Sequence, residues 1–301
     1  MENTMKILIT GSTGLVGNAI CEKLGAEGHD FFSLVRREPR GEREIRWNPE
    51  GGTIDSAALE GFDAVIHLAG EGIAGRWTAA KKQRIRDSRL KGTRLLCKSL
   101  AKLARPPRVL LSASAVGFYG NRGNEILTET SAPGNTFLSK LCTEWEAAAD
   151  HADQNETRVV KLRLGVVLSR KGGALQKMLL PFKLGAGGII GNGKQYWSWV
   201  AIDDVVGAVR HALTTETLRG AVNVVAPNPV TNREFTKTLG SVLSRPTIFP
   251  MPAFAARLAF GEMADELFLA SARVHPARLL ESGFKFQHAE LNDALRHLLG
   301  R

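Results

Sequence analysis

The stretch from Met5 to Gly17, Met-Lys-Ile-Leu-Ile-Thr-Gly-Ser-Thr-Gly-Leu-Val-Gly, limits what this chain can fold into more than any other. Lys6 to Thr10 is a short apolar, β-branched run of the kind that forms a strand covered on both faces. Gly11, Gly14 and Gly17 follow at once, and Leu15 to Glu27 has the spacing and length of a helix. A strand, a glycine turn and a helix in that order make a dinucleotide-binding fingerprint. Gly11 permits the tight turn, Gly14 lets backbone approach a pyrophosphate, and Gly17 lets helix and strand pack closely. The N–H groups around Leu15 and Val16 then face an anionic ligand, with the helix dipole behind them.

The type of dinucleotide is read about twenty residues past the glycine turn. Gly28 closes the first helix, Asp30 to Val35 reads as a second strand, and Arg36-Arg37-Glu38-Pro39 ends it. An acidic residue there would accept from the ribose hydroxyls of NAD. Two adjacent arginines instead offer forked donors to a 2′-phosphate, which points to NADP(H). Glu38 leaves the ribose alternative open if the turn is a residue or two longer.

The alternation continues. Ile45 to Asn48 is a short strand, and Ala64 to Leu68 is a buried strand running into Ala69-Gly70-Glu71-Gly72. Small residues at that exit let a cofactor lie across the strand ends. Thr78 to Leu103 is a long basic helix, mostly a solvated face, from which Arg89 is a candidate to turn inward to the cofactor. Arg108 to Ser112 is the next strand, followed by Ala113-Ser114-Ala115 and the stretch to Tyr119-Gly120. A helix from Phe137 to Asp150 and a strand from Thr157 to Leu164, running into Gly165-Val166-Val167, complete five alternations. The economical solution is an α/β fold with a doubly wound parallel sheet.

Beyond that point the chain changes character. A helix from Leu175 to Lys183 precedes Gly185 to Gly193, which holds five glycines in nine residues. Tyr196, Trp197 and Trp199 follow, so this region reads either as a substrate mouth or as a flexible loop beside core aromatics. Asp203 and Asp204 look like a catalytic pair on paper, but they directly precede a helix and are expected to cap it. Gly220 to Val225 is a last sheet strand, and Thr231-Asn232-Arg233-Glu234 is a capping box opening a helix to Leu243. From Pro246 onward proline-broken short helices suggest a smaller C-terminal substrate lobe. The expected division is 1–167 for the dinucleotide domain and 168–301 for the lobe, with 199–226 returning to the sheet.

Composition narrows the classes. The 301 residues carry 44% hydrophobic side chains, enough for a sizeable core, and no apolar run approaches the roughly 20 residues of a membrane span. The leader Met1-Glu2-Asn3-Thr4 lacks a signal-peptide pattern, and Cys21, Cys97 and Cys142 are odd in number and scattered, so a reducing cytoplasm is expected. No cysteine has metal-ligand spacing and no metal is assigned. The net charge of +10 is not gathered in a long run or interleaved with aromatics. An anionic nucleotide ligand and a solvated basic surface account for it, without specific nucleic-acid binding.

Taken together, the chain resembles an extended or atypical short-chain dehydrogenase/reductase with a Rossmann sheet. More narrowly, it is similar to the bacterial and mitochondrial NAD-dependent epimerase/dehydratase-like or nucleotide-sugar epimerase group. The resemblance rests on Thr10 to Gly17, His67-Leu68-Ala69-Gly70-Glu71, Ser88-Arg89, Leu141-Cys142 with Trp145-Glu146, and Arg163 to Leu168. Leu179 to Gly193, Trp199 with Asp203 and Asp204, and Val225-Ala226-Pro227 complete it. It implies that Thr13, Leu68, Ala69, Gly70, Arg89 and Val167 also line the cofactor. In that superfamily a Ser after the fifth strand works with a Tyr and a Lys four residues apart on the next helix. Lys lowers the Tyr pKa and holds the nicotinamide ribose, Tyr moves the proton, and Ser orients the substrate oxygen. Ser114 stands at the Ser position and Lys140 at the Lys position, but Thr136 stands where the Tyr belongs. The two tyrosines, Tyr119 and Tyr196, have Gly123 and Val200 four residues on, so no Tyr-Lys pair exists. Threonine does not ionise near neutral pH.

Two function classes follow. One is an NADP(H)-dependent oxidoreductase or epimerase acting on a small carbonyl compound or nucleotide sugar, as monomer or homodimer, with Ser114, Tyr119 or water as proton donor. The other is a cofactor-binding sensor or scaffold that has lost the chemistry. Retention of Ser114 and Lys140 favours the enzyme.

Overall fold

In the computed structural model, which describes residues 4–155 and 157–301, β1 (Lys6–Thr10) is buried from Ile7 onward because its side chains alternate into two separate cores. Ile7 and Ile9 face one layer of helices, and Leu8 faces the other. The leader expectation at residues 1–3 lies outside the described residues. After the glycine turn, α1 (Leu15–Ala26) leads to β2 (Asp30–Val35), β3 (Glu44–Asn48) and the two-residue β4 (Thr53–Ile54). The chain then crosses to the other side of β1 through β5 (Ala64–His67), α2 (Ala79–Leu100) and β6 (Val109–Ala115). β7 (Ile126–Leu127) and α3 (Phe137–Ala149) precede β8 (Arg158–Leu164) and β9 (Val166–Ser169).

The eight-stranded sheet has the order β12-β8-β6-β5-β1-β2-β3-β4, where β12 is Gly220–Val224. Every pairing is parallel except that of β4 with β3. Strand order reverses between β1 and β5, so their carboxyl ends open the crevice in which such sheets take ligands. One face is covered by α1 and α5 (Ile202–Thr214), with Val205, Val209 and Leu213 against Ile66, Leu111 and Val222. The opposite face is covered by α2 and the end of α3, with Leu96, Leu100 and Ala149 against Leu8, Val65 and Leu110.

A third core lies beyond the sheet. It joins α4 (Gly173–Lys183), β10 (Tyr196–Trp197), β11 (Trp199–Ala201) and α6 (Asn232–Val242), entered from β13 (Val230–Thr231). α7 (Ala253–Phe260), a π-helical turn at Ala264–Phe268, β14 (Arg273–Val274), α8 (Ala277–Glu281) and α9 (Leu291–Leu299) close the chain. The capping box at Thr231 and Glu234 forms as its spacing predicts. Trp197 and Trp199 are buried in this core, and the loop before them is packed: a Cβ on Gly188 would lie 1.6 Å from the Phe249 carbonyl oxygen. The tryptophans are therefore core residues, and the glycine loop beside them is packed and not free. Cys21, Cys97 and Cys142 are free thiols on α1, α2 and α3; burial pushes the last two up to about 12. Among the described residues no helix is long and apolar enough to cross a membrane.

Two expectations need correction. Asp203 and Asp204 do not cap α5, whose N-cap is Ala201; they sit in its first turn and reach away to other elements. The aspartates suit that turn because its dipole favours negative charge. β6 also runs three residues further than the spacing suggests, because Ala113, Ser114 and Ala115 keep register with Leu162, Arg163 and Leu164 of β8. Ser114 thus belongs to a strand and not to a loop.

Candidate functional site

The crevice starts at the glycine turn. Gly11 has φ +72°, a left-handed conformation that favours glycine, and its hydrogen bond from Gly14 N closes the turn at 3.0 Å. A Cβ on Gly17 would lie 2.2 Å from the Gly11 carbonyl oxygen, so α1 can approach β1 only with glycine there. Thr13 and Gly14 are exposed, and the first-turn N–H groups at Leu15 and Val16 head α1. This cradle fits a dinucleotide pyrophosphate. On its far side a Cβ on Gly172 or Gly173 would crowd the Leu15 methyls at 3.2 and 3.1 Å, while Val167 is half-buried in β9.

The opposing wall, Leu68 to Gly70, is held by a buried chain of hydrogen bonds. Thr10 Oγ1 accepts from Leu68 N and Ala69 N, both at 3.0 Å, and lies 2.8 Å from His67 Nδ1. With both acceptor positions of the hydroxyl filled, its proton goes to His67 Nδ1. His67 is thereby the Nε2–H tautomer, donating over 2.9 Å to Thr93 Oγ1, which also receives Trp145 Nε1 at 3.0 Å. Burial lowers the His67 pKa to about 4, so the ring is neutral at physiological pH. Arg89 does turn inward. Its guanidinium stacks 5.0 Å over Trp145, donates to Glu71 O and Ile85 O, and packs against Gly70.

The two arginines after β2 are not equivalent. Arg37 forms a two-pronged bond to Glu44 at 2.7 and 2.5 Å, and Glu44 also accepts from Arg40 N. Those contacts, the Arg37 bond first, hold the Glu44 carboxyl at about 2. Arg36 is exposed and makes no hydrogen bond or ion pair through its side chain among the described residues. Glu38 is paired with Arg46 at the surface. Between the glycine turn and β2, Ser33 Oγ donates to Ser12 Oγ at 3.0 Å, a polar pair that motif reading does not single out.

At the carboxyl end of β6, Ser114 is 2% exposed and donates to Glu146 Oε1 over 2.6 Å. Glu146, on α3, is held by Arg163 of β8 through Nε and Nη2, each at 2.8 Å. The Arg163 guanidinium lies 3.5 Å over the Phe118 ring and gives Nη1 to Tyr119 Oη at 2.9 Å. Tyr119 is fully buried, and its hydroxyl also meets Asn223 Oδ1 at 2.7 Å and Thr128 O at 3.0 Å. Burial raises the Tyr119 pKa. The structure therefore joins Ser114 and Tyr119 through one buried ion pair. Glu146 and Arg163 stand within the motifs that carry the resemblance but receive no site role from them, although a charged residue on an otherwise apolar helix face and another inside a buried strand are the available signal.

Thr136 is the N-cap of α3, with its hydroxyl accepting from Ser139 N, and Glu266 of the C-terminal lobe accepts from Phe137 N and Leu138 N at 3.0 and 2.9 Å. The position of the missing tyrosine is thus occupied by helix capping. Lys140 is one turn further along, exposed, and without a hydrogen bond or ion pair through its side chain among the described residues.

With this geometry, the model of the NAD dependent epimerase/dehydratase family matches residues 7–225, and a domain of unknown function, DUF1731, matches 251–298. The chain is 42% identical over 296 residues to epimerase family protein Mb2239 of Mycobacterium bovis, covering 98% of each. It is similar to the crystal structure of human epimerase family protein SDR39U1 (isoform2) with NADPH, at TM-score 0.91 and 36% identity over 99% of this chain and 100% of that one. It is also similar to the nucleoside-diphosphate sugar epimerase from Corynebacterium glutamicum, at TM-score 0.81 and 36% identity, covering 99% of this chain and 59% of that one.

Proposed function

This chain belongs to the NAD dependent epimerase/dehydratase family, and from that premise we propose that it is an NADP(H)-binding oxidoreductase or epimerase acting on a small hydroxyl or carbonyl compound, a nucleotide sugar among the candidates. The observation that carries the cofactor reading is the glycine cradle at Gly11–Gly17, where a Cβ on Gly17 would strike the Gly11 backbone, with unpaired Arg36 after β2. The human relative with NADPH supports the phosphorylated form. Gly11, Thr13, Gly14, Leu15, Val16 and Gly17 hold the pyrophosphate side, Arg36 meets the 2′-phosphate, and Leu68 to Gly70, Arg89 and Val167 line the remainder. Lys140 holds the nicotinamide ribose. The bound nicotinamide supplies or accepts hydride.

Substrate orientation falls to Ser114, held in place by Glu146. The single Ser114 proton is committed to the Glu146 carboxylate, so the hydroxyl offers lone pairs to a substrate, not a donor. Ser114 can then accept a hydrogen bond from a substrate O–H and orient it, with water as the group that takes the proton, while Glu146 stays ionised against Arg163. This replaces the absent phenol. Residues 1–167 form the cofactor domain and 168–301 the substrate lobe, with 199–226 returned to the sheet, in a cytoplasmic monomer or homodimer without specific nucleic-acid partners.

A second reading is a cofactor-binding sensor without turnover. It is favoured by Thr136, which is spent on capping α3, and by Tyr119, whose hydroxyl is fully engaged. NADPH oxidation over quinones, aldehydes and nucleotide sugars, with Ser114→Ala beside the wild type, tests the pair of readings. Turnover that Ser114→Ala slows supports the enzyme. Tight NADPH binding with no turnover on any substrate supports the sensor.

A further inference from the structure

We propose that Asp203, His288 and His297 form a binding site for a divalent transition metal of the Zn2+ class, which clips the C-terminal helix to the sheet domain. One ligand atom from each residue lies within 4.8 Å of the others. His297 Nε2 is 3.4 Å from Asp203 Oδ2, close to the ligand–ligand separation of about 3.4 Å in a tetrahedral site with metal bonds near 2.0–2.1 Å. The two imidazoles are stacked in the metal-free protein, ring centroids 4.3 Å apart, and a metal would draw the exposed His297 ring round until its Nε2 converges with the His288 nitrogen on Asp203 Oδ2. Two imidazoles and a carboxylate suit Zn2+, Ni2+ or Cu2+ and not the all-oxygen sites of Mg2+ or Ca2+. Three protein ligands leave a further position for water.

The supporting shell is already built. Lys23 of α1 bonds Asp203 Oδ1, which leaves Oδ2 as the oxygen directed to the imidazoles. The neighbouring Asp204, fully buried, accepts from Gln287 N at 2.7 Å and His288 N at 3.0 Å, and so fixes the backbone that carries His288. His297 is exposed on α9 and provides the entry path. The ligands come from α5, the segment before α9, and α9 itself, so sequence spacing could not reveal them. Lys23 lies eight residues into α1 from Leu15, about 12 Å along the helix from the glycine turn, so the metal has a stabilising role apart from the cofactor cleft. A cation that binds the folded chain and not the unfolded one raises stability by mass action.

The test uses tag-free, EDTA-stripped full-length protein. Zn2+ should raise the Tm in a concentration-dependent way, and Co2+ should give the visible absorption of a four-coordinate nitrogen and oxygen site. His297→Gln alters an exposed side chain, so it leaves the metal-free Tm close to wild type while abolishing the Zn2+ shift and the Co2+ bands. Lys23→Gln removes a positive charge from beside the metal and retains or tightens binding. Absence of a Zn2+ shift in the wild type would overturn the proposal. So would an equal shift in His297→Gln, which would leave only an ion cluster of Lys23, Asp203 and His297.

Discussion

Ser114 Oγ and Glu146 Oε1 stand 2.6 Å apart, and the same carboxylate receives two bonds from Arg163, so one buried anion serves a strand end, a helix and a neighbouring strand at once. Removing the anion strands a buried guanidinium, which typically costs about 3–5 kcal/mol. Removing the Ser114 hydroxyl loses one hydrogen bond to a charged group, roughly 1.5–3 kcal/mol. Urea unfolding should therefore rank Glu146→Ala as more damaging than Ser114→Ala. The reverse order would mean that Arg163 finds another partner.

Cofactor preference should rest on Arg36. Arg37 already spends its fork on Glu44, whereas Arg36 is uncommitted. Arg36→Ala should weaken NADPH binding by about one to two decades, the worth of a charge-assisted contact, and leave NADH nearly unchanged. Arg37→Ala should have the smaller effect. Calorimetry with both cofactors checks this, and equal wild-type affinities for NADPH and NADH would remove the basis for the preference.

The parts of this site that were legible in the sequence are those built from neighbours along the chain. The strand, glycine turn and helix around Gly11–Gly17 declare themselves because Gly11 and Gly17 have local duties that a side chain would prevent. Ser114 and Lys140 are placed by resemblance alone. What stayed hidden depends on partners far apart in sequence: Glu44 taking Arg37, Glu146 taking Ser114 and Arg163, Glu266 reaching across 128 residues to Leu138 N. Asp203 and Asp204 show the same limit. A local rule assigned them to a helix cap, and distant groups claimed their oxygens.

His67 gives a pH signature. Its folded pKa is lowered to about 4 from 6.5 by burial, so between those values the unfolded chain binds the extra proton and the folded one does not. Stability from this group is fully present above pH 6.5 and falls as pH drops towards 4, by about 3 kcal/mol in all. Below pH 4 both states carry the proton and the slope ends. Urea midpoints measured across this range on wild type and His67→Asn should converge at the acid end. Parallel curves would show that His67 is not the titrating group.

Thr136 carries the sharpest test of how this family member manages without a tyrosine. Its hydroxyl caps α3, and Glu266 satisfies the next two N–H groups of the same helix. Thr136→Tyr removes the cap and should cost about 1 kcal/mol of stability, because a phenol cannot accept from the first turn in the same way. Since α3 begins at Phe137, a phenol introduced at the cap would not acquire the inward position of a residue within a helix, and NADPH turnover should not rise. Glu266→Ala should destabilise the same helix end by about 0.5–2 kcal/mol, and thereby report the docking of the C-terminal lobe on α3. Thermal unfolding and NADPH oxidation on both variants and wild type decide the matter. If wild type turns over nothing and Thr136→Tyr gains activity, the cap is a vacated catalytic position and the chain is a sensor.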